Sequence, residues 1–266
     1  MPHDNKYADV PLRIRSWGVI ICVFAAAISH PYAMYLFSLW VSFQALTELG
    51  RLFAFDATYW RMAIPLLQGI LLVSCPSYPT YMVGAGALVG VSLIVSLCLR
   101  QVPLGLPLSL LIVLVAYPHL TFLRMEPQGV LWILFLVVTT ELNDIFQYLT
   151  GKRFGKRKIL PKVSPNKTVE GFAGGLLLTP LLSMGLGKLL GLPTALPTLA
   201  LVGLALSFFG FWGDVSFSYL KRRAGVKDTS SLIPGHGGLL DRIDSLLYNC
   251  IWSVSYTHLR AHETKA

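Results

Sequence analysis

Apolar residues run continuously along most of this chain, interrupted by short polar joints and by isolated Pro and Gly. About 20 apolar residues are needed to carry a helix across roughly 30 Å of hydrocarbon. Windows of this kind predict helices near 16–29, 32–49, 62–74, 81–99, 104–123, 130–150, 172–191, 196–220 and 243–256. The runs lack the two-residue alternation of a membrane barrel, which argues against strands. The expected fold is all-α, a polytopic membrane helical bundle of about eight or nine transmembrane helices. Pro65, Pro103 and Pro107 fall at or near helix starts, where a missing N–H costs least. There is no internal repeat.

Composition supports lipid as the solvent. Of the 266 residues, 54% are hydrophobic and 13% charged, and the mean hydropathy is +0.61, too little polar surface to cover a soluble globule of this size. Polar residues are sparse and scattered through residues 1–125, which read as an N-terminal transmembrane scaffold, and dense in 126–254, which read as the catalytic region. After Ser245 only about ten mostly apolar residues precede the polar stretch 255–266, short for a ninth span, so that tail reads as foreign to the chain's native end. Four cysteines sit singly in apolar stretches with no C-x-x-C spacing, which points to packing rather than metal or redox chemistry.

The formal charge of +9 does not imply a nucleic-acid partner, because most of the Lys and Arg residues gather in two short loops between apolar segments. Anionic membrane lipids or phosphorylated substrates fit that placement better. Starting the N-terminus in the cytoplasm and alternating sides through nine spans puts 18 of the 22 Lys and Arg residues inside. Only Arg124, Lys188, Arg260 and Lys265 fall outside. Both basic loops then share the cytoplasmic side.

Two stretches carry candidate chemistry. In the first, residues 141–175, Glu141, Asp144 and Tyr148 are spaced i, i+3 and i+7 and line one helix face near its cytoplasmic end. A carboxylate at bilayer depth costs about 2.5–3.5 kcal/mol on insertion scales unless a metal, a cation or water receives it. The loop that follows mixes Lys and Arg with Gly and runs K-V-S-P-N-K-T, so Lys162 and Lys167 with backbone N–H groups are able to meet phosphate oxygens. A basic loop that only touches anionic lipid explains this loop equally well.

The second stretch, residues 213–245, reads G-D-V-S-F-S-Y-L-K-R-R-A-G-V-K-D-T-S-S-L-I-P-G-H-G-G-L-L-D-R-I-D-S. Asp214 and Ser218 are i, i+4 on one helix, with Lys221 on the same face. Lys227, Asp228 and a Gly-rich corner around His236 follow, then Asp241 and Asp244 at i, i+3 with Arg242 between them. Carboxylates of this kind hold hard divalent cations by oxygen, and Mg²⁺ prefers a few carboxylates plus substrate phosphate to a complete protein cage. The bland alternative is helix-start acids beside a glycine turn. For His236, phosphate binding or loop architecture is favoured over proton transfer, because an ionised phosphate nucleophile needs no base.

At these residues the chain resembles the phosphatidate cytidylyltransferase family, also called CDP-diacylglycerol synthases. The run from Ser218 to Asp244 has the form of that family's signature, and K-V-S-P-N-K-T-V-E-G-F-A-G-G is similar to its earlier loop. Val169 replaces a frequent Trp, and Gln147 a frequent small residue. The resemblance implies transfer of a cytidylyl group from CTP to phosphatidic acid, giving CDP-diacylglycerol and pyrophosphate, with Mg²⁺ and room for a second metal ion. It implies Asp214 and Asp241 as first metal ligands, Asp144 next, and Asp244 as a further catalytic carboxylate. Lys167, Lys221, Arg222, Lys227 and Arg242 would bind phosphates, supported by Ser218 and His236. A bacterial inner membrane is the expected location, and a homodimer is an open option. The competing readings are a CTP-dependent kinase or a cytidylyltransferase acting on another lipid, and an ion-coupled transporter. Ion coupling accounts for Glu141 and Asp144 but gives no reason for the Gly-rich segment.

Overall fold

The computed structural model describes residues 10–75, 77–99 and 102–263, and their side chains except at 10, 13 and 252–263. Lys6, Arg100 and Lys265 of the charge distribution lie outside the described residues, as do the side chains of Arg13 and Arg260 and the last three residues of the tail. Helices α1 (Val10–Ser29), α2 (Pro31–Leu52), α3 (Trp60–Ser74) and α4 (Tyr78–Cys98) are followed by α5 (Gly105–Leu110), a π-helical turn (Leu111–Ala116) and α6 (Pro118–Met125). The second half holds α7 (Gly129–Phe154), strands β1 (Lys158–Leu160) and β2 (Ser164–Thr168), then α8 (Val169–Leu189), α9 (Leu196–Arg223) and α10 (Leu240–Glu263).

The predicted helices all form, most with boundaries moved by a few residues, while α1 starts at Val10 and α10 runs on to Glu263, into the stretch expected as a polar tail. Local chemistry explains several edges. His30 caps α2 by accepting from Tyr32 N, with Pro31 opening the helix. Thr168 caps α8 through Gly171 N at 3.1 Å. Pro118 has no N–H to give to the preceding turn, and the segment before it widens into the π-helical turn, so α5 to α6 run on as one span. Pro65 lies farther into α3 than the sequence reading placed it.

Among the described residues five segments are long and apolar enough to cross a bilayer: Tyr78–Cys98, Gly105–Met125, Gly129–Phe154, Val169–Leu189 and Leu196–Arg223. Ile14–Ser29 and Trp60–Ser74 are apolar but shorter. The protein is thus an α-helical membrane protein. One expectation is corrected: strands do form, as β1 and β2 pair antiparallel in a small hairpin. They lie in the polar joint between α7 and α8, where no apolar periodicity signals them.

The two halves do not pack separately. Phe217, Leu240 and Leu247 from α9 and α10 share one buried cluster with Leu46 and Leu49 of α2 and with Tyr117. A second cluster joins Met34 of α2 and Leu123 of α6 to Trp132, Phe135, Leu199 and Leu206. The span Gly105–Met125 is the most enclosed, 72% buried over its apolar window, whereas α4 at 17% leaves most of its surface for lipid. The cysteines are unpaired, with Cys250 buried and Cys22 and Cys98 exposed.

Candidate functional site

The polar groups singled out in the sequence gather at one end of the bundle, where α7 and α9 finish and α8 and α10 begin. From β2, Lys167 reaches across to α9 and pairs with Asp214 at 2.6 Å, its ammonium also lying 5.0 Å from the centre of the Phe211 ring. Ser218, one turn on from Asp214, donates to its Oδ1 at 3.2 Å. A further turn along, Lys221 pairs with Asp241 at 2.7 Å. Gly213 makes the α9–α10 approach possible, since a Cβ there would stand 2.6 Å from the carbonyl oxygen of Asp244.

Asp144, Asp214 and Asp244 come within electrostatic reach of one another, with Lys167 and Lys221 as the nearby cations. Ser245 fixes Asp144 by donating to Oδ2 at 3.0 Å. Deeper in the bundle, Thr179 donates to Asn143 and Asn249 donates to Thr140, so α7, α8 and α10 are tied by polar contacts beneath the carboxylates. Such bonds satisfy groups that have no water to turn to.

Asp241 has both oxygens engaged. Oδ1 accepts from Lys221, and Oδ2 accepts from the backbone of Thr229 at 2.8 Å and of Gly238 at 2.8 Å. Burial works to raise its pKa, but the lysine and the two amides outweigh it and hold the carboxyl below its ordinary range. Gly237, at φ +85°, gives the turn its shape, and a Cβ on it would come 2.8 Å from Asp241 Oδ2.

The remaining expected residues lie on α7, α9, α10 and the segment between α9 and α10. Arg222 turns back to Val226 O at 3.0 Å, closing the end of α9, and Lys227 is exposed on the loop. Arg242 holds His236 O through Nε at 3.0 Å, and the His236 ring packs edge-on against Trp17 of α1 at 5.9 Å. His236 is thus held at both its backbone and its ring. Glu141 is half-buried near Asp144 and Arg242, while Tyr148 is exposed beneath the Lys152 ammonium.

Among the described residues no three His, Cys, Asp or Glu side chains converge on a single metal position. The expected trio of Asp144, Asp214 and Asp241 is thus not assembled on one point. What is present is a set of hard oxygen donors, each of Asp214 and Asp241 held by a lysine ammonium. That donor set fits Mg²⁺ bound through one or two carboxylates plus substrate phosphate, and does not fit a closed protein cage.

The model of the cytidylyltransferase family matches residues 12–260. The chain belongs to the cytidylyltransferase family. Among relatives, the uncharacterized protein YnbB of Escherichia coli (strain K12) is 40% identical over 267 residues, covering 92% of this chain and 86% of that protein. The phosphatidate cytidylyltransferase of Bacillus subtilis (strain 168) is 44% identical over 125 residues, 47% of this chain and 46% of its own length. That of Staphylococcus aureus (strain COL) is 40% identical over 127 residues, 48% and 49% of the two chains. The match thus spans about half the length of the curated phosphatidate cytidylyltransferases.

For this cytidylyltransferase-family chain, sequence reasoning missed the part of the site supplied by the first half. Ser16 of α1 donates to Pro234 O at 2.9 Å. Glu48 of α2, 2% exposed, accepts from Thr229 Oγ1 at 2.6 Å, Ser230 Oγ at 2.7 Å, Leu239 N at 2.8 Å and Leu240 N at 2.9 Å. The signal was there for Glu48, a lone acid closing an apolar run. Ser16 and Trp17 have no such mark.

Proposed function

We propose that this protein transfers a cytidylyl group from CTP to phosphatidic acid. The reading rests on family membership and on one observation in particular: Asp144, Asp214, Asp241 and Asp244 meet Lys167 and Lys221 at one end of the bundle. In the reaction, an ionised phosphate oxygen of phosphatidic acid forms a bond to the α-phosphorus of CTP. The bond from that phosphorus to the α,β-bridging oxygen breaks, and pyrophosphate leaves with the electron pair. The nucleophile arrives deprotonated, so no side chain has to take a proton.

Asp214 and Asp241 would hold Mg²⁺, with Asp144 and Asp244 beside them; when bound, the ion neutralises charge on the triphosphate and on the departing pyrophosphate. Lys167 and Lys221 bring positive charge to the phosphate oxygens from positions fixed by their carboxylate partners. Lys227, Arg222 and Arg242, between the end of α9 and the start of α10, would take the outer phosphates or the lipid head group. Preorganised charge of this kind acts most strongly where water is excluded.

We place this end of the bundle on the cytoplasmic side of a bacterial inner membrane and read eight or nine crossings. Two features support that. The start of α1, the end of α2, the end of α7, the start of α8, the end of α9 and the start of α10 all contribute to the site, which is the order that strict alternation across a bilayer produces. The basic residues concentrate at the same end.

The test is incubation of protein purified in neutral detergent with phosphatidic acid, Mg²⁺ and CTP labelled at either the α- or the γ-phosphate. Label from the α-phosphate in the lipid fraction, and none from the γ-phosphate, is expected. Transfer of the γ-label would make the protein a kinase, and transfer of neither would remove the reading.

A further inference from the structure

We infer that Glu48 is a positioning residue of the cytidylyl-transfer site: from α2 it holds the Gly-rich segment in place and, through Thr229, sets Asp241. The inference rests on the proposed reaction for its kinetic consequence and on the geometry alone for its structural one. A carboxylate offers about four lone-pair sites, and all four of Glu48's are taken by the segment 229–240. Two of the donors are side-chain hydroxyls on the loop, and two are the backbone amides that open α10. Those amides are orphans of a helix start, and a negative charge is favoured there.

The contact continues to Asp241 through a single residue. Thr229 Oγ1 lies 2.6 Å from Glu48 Oε2 and 3.0 Å from Asp241 Oδ2, and a hydroxyl has one proton to give. The shorter contact takes it to Glu48. Asp241 Oδ2 is already served by the amides of Thr229 and Gly238. Glu48 therefore grips the Thr229 side chain while the Thr229 backbone grips Asp241, so the two carboxylates hold one residue from opposite sides.

The packing leaves no slack. A Cβ on Gly238 would stand 2.0 Å from Thr229 Oγ1 and 2.7 Å from both Glu48 oxygens, so the second glycine of the pair is required by the buried acid. A glutamine at position 48 would fail in either orientation of its amide. Its NH₂ group would face Leu239 N–H or Leu240 N–H, neither of which accepts, and one α10 amide would be left without a partner.

The experiment compares wild-type protein, Glu48→Gln and Thr229→Val by hydrogen–deuterium exchange and by steady-state kinetics in detergent. Glu48→Gln is expected to raise exchange at least tenfold in peptides covering 229–240, with peptides from α7 and α8 unchanged. It should lower kcat/KM for CTP at least tenfold while KM for phosphatidic acid stays within twofold. Thr229→Val keeps the acceptors for both α10 amides, so it should retain the slow exchange of Leu239 and Leu240 but still lose activity toward CTP. Unchanged exchange at 229–240, or an equal rise across the whole chain, would overturn the clasp, and raised exchange there with wild-type kinetics would overturn the positioning of Asp241. If Glu48→Gln does not fold, normal activity in Thr229→Val overturns the link to Asp241. If wild-type protein shows no transfer at all, the reaction is wrong, and the exchange data alone decide whether Glu48 holds the segment.

Discussion

At the scale of single residues, charge and room separate cleanly. Asp241→Asn keeps the shape of the side chain but removes the charge that pairs with Lys221, and it turns one oxygen into a donor facing other donors. We expect turnover to fall by about 10² or more, with the protein still monodisperse in detergent, because a pair at a catalytic centre acts through charge where water is excluded. Wild-type turnover in that variant would dismiss Asp241 as a ligand or charge partner. Gly238→Ala tests room instead of charge. The added methyl has nowhere to go between Thr229 and Glu48, so activity should be lost together with thermal stability, by about 1–3 kcal/mol, in a detergent melting series. The carboxylates and lysines of this centre were legible from the sequence because acids are costly at bilayer depth and their spacing is helical. Their partners were not, since Thr229, Ser245 and Ser16 are ordinary residues whose roles come only from what the fold places opposite them.

At the scale of elements, the apolar pattern was enough to find each helix, because lipid demands closed backbone hydrogen bonding and leaves helices as the solution for long apolar runs. It could not find the β1–β2 hairpin, whose strands are only three and five residues long and show no apolar alternation. Nor could it find the π-helical turn, which depends on the missing donor of Pro118 and not on hydrophobicity. The hairpin matters because it delivers Lys167 to Asp214 two residues before α8 begins. Thr168 is the joint, capping α8 through Gly171 N. Thr168→Ala should cost about 1 kcal/mol of stability through the lost cap. It should also weaken CTP use more than phosphatidic acid use, by loosening the base on which Lys167 stands. Equal losses for both substrates, measured as separate KM values, would make the cap purely structural.

At the scale of the whole molecule, the arrangement joins two halves that the sequence kept apart. The polar second half supplies the chemistry, but its Gly-rich segment leans on α1 and α2, so residues 1–125 are more than a scaffold for spans. Sidedness follows from the same architecture: single cysteines placed in the 152–167 joint and in the 224–238 segment should label from the cytoplasmic face only. Labelling from opposite faces would break the single-site model. The stricter test asks whether the two basic loops act as one phosphate site. Lys167 is fixed on Asp214, whereas Lys227 is exposed on its loop, so charge from both is available to one triphosphate only if CTP spans them. Lys167→Ala and Lys227→Ala should each reduce kcat/KM for CTP, and the double variant should depart from additivity by at least about 0.5 kcal/mol in a double-mutant cycle. Lysines that merely meet anionic lipid would give small, additive losses that track the anionic content of the membrane. The cycle is therefore run in neutral detergent, where that contribution is absent and additivity would leave the 152–167 joint as a lipid-contacting surface.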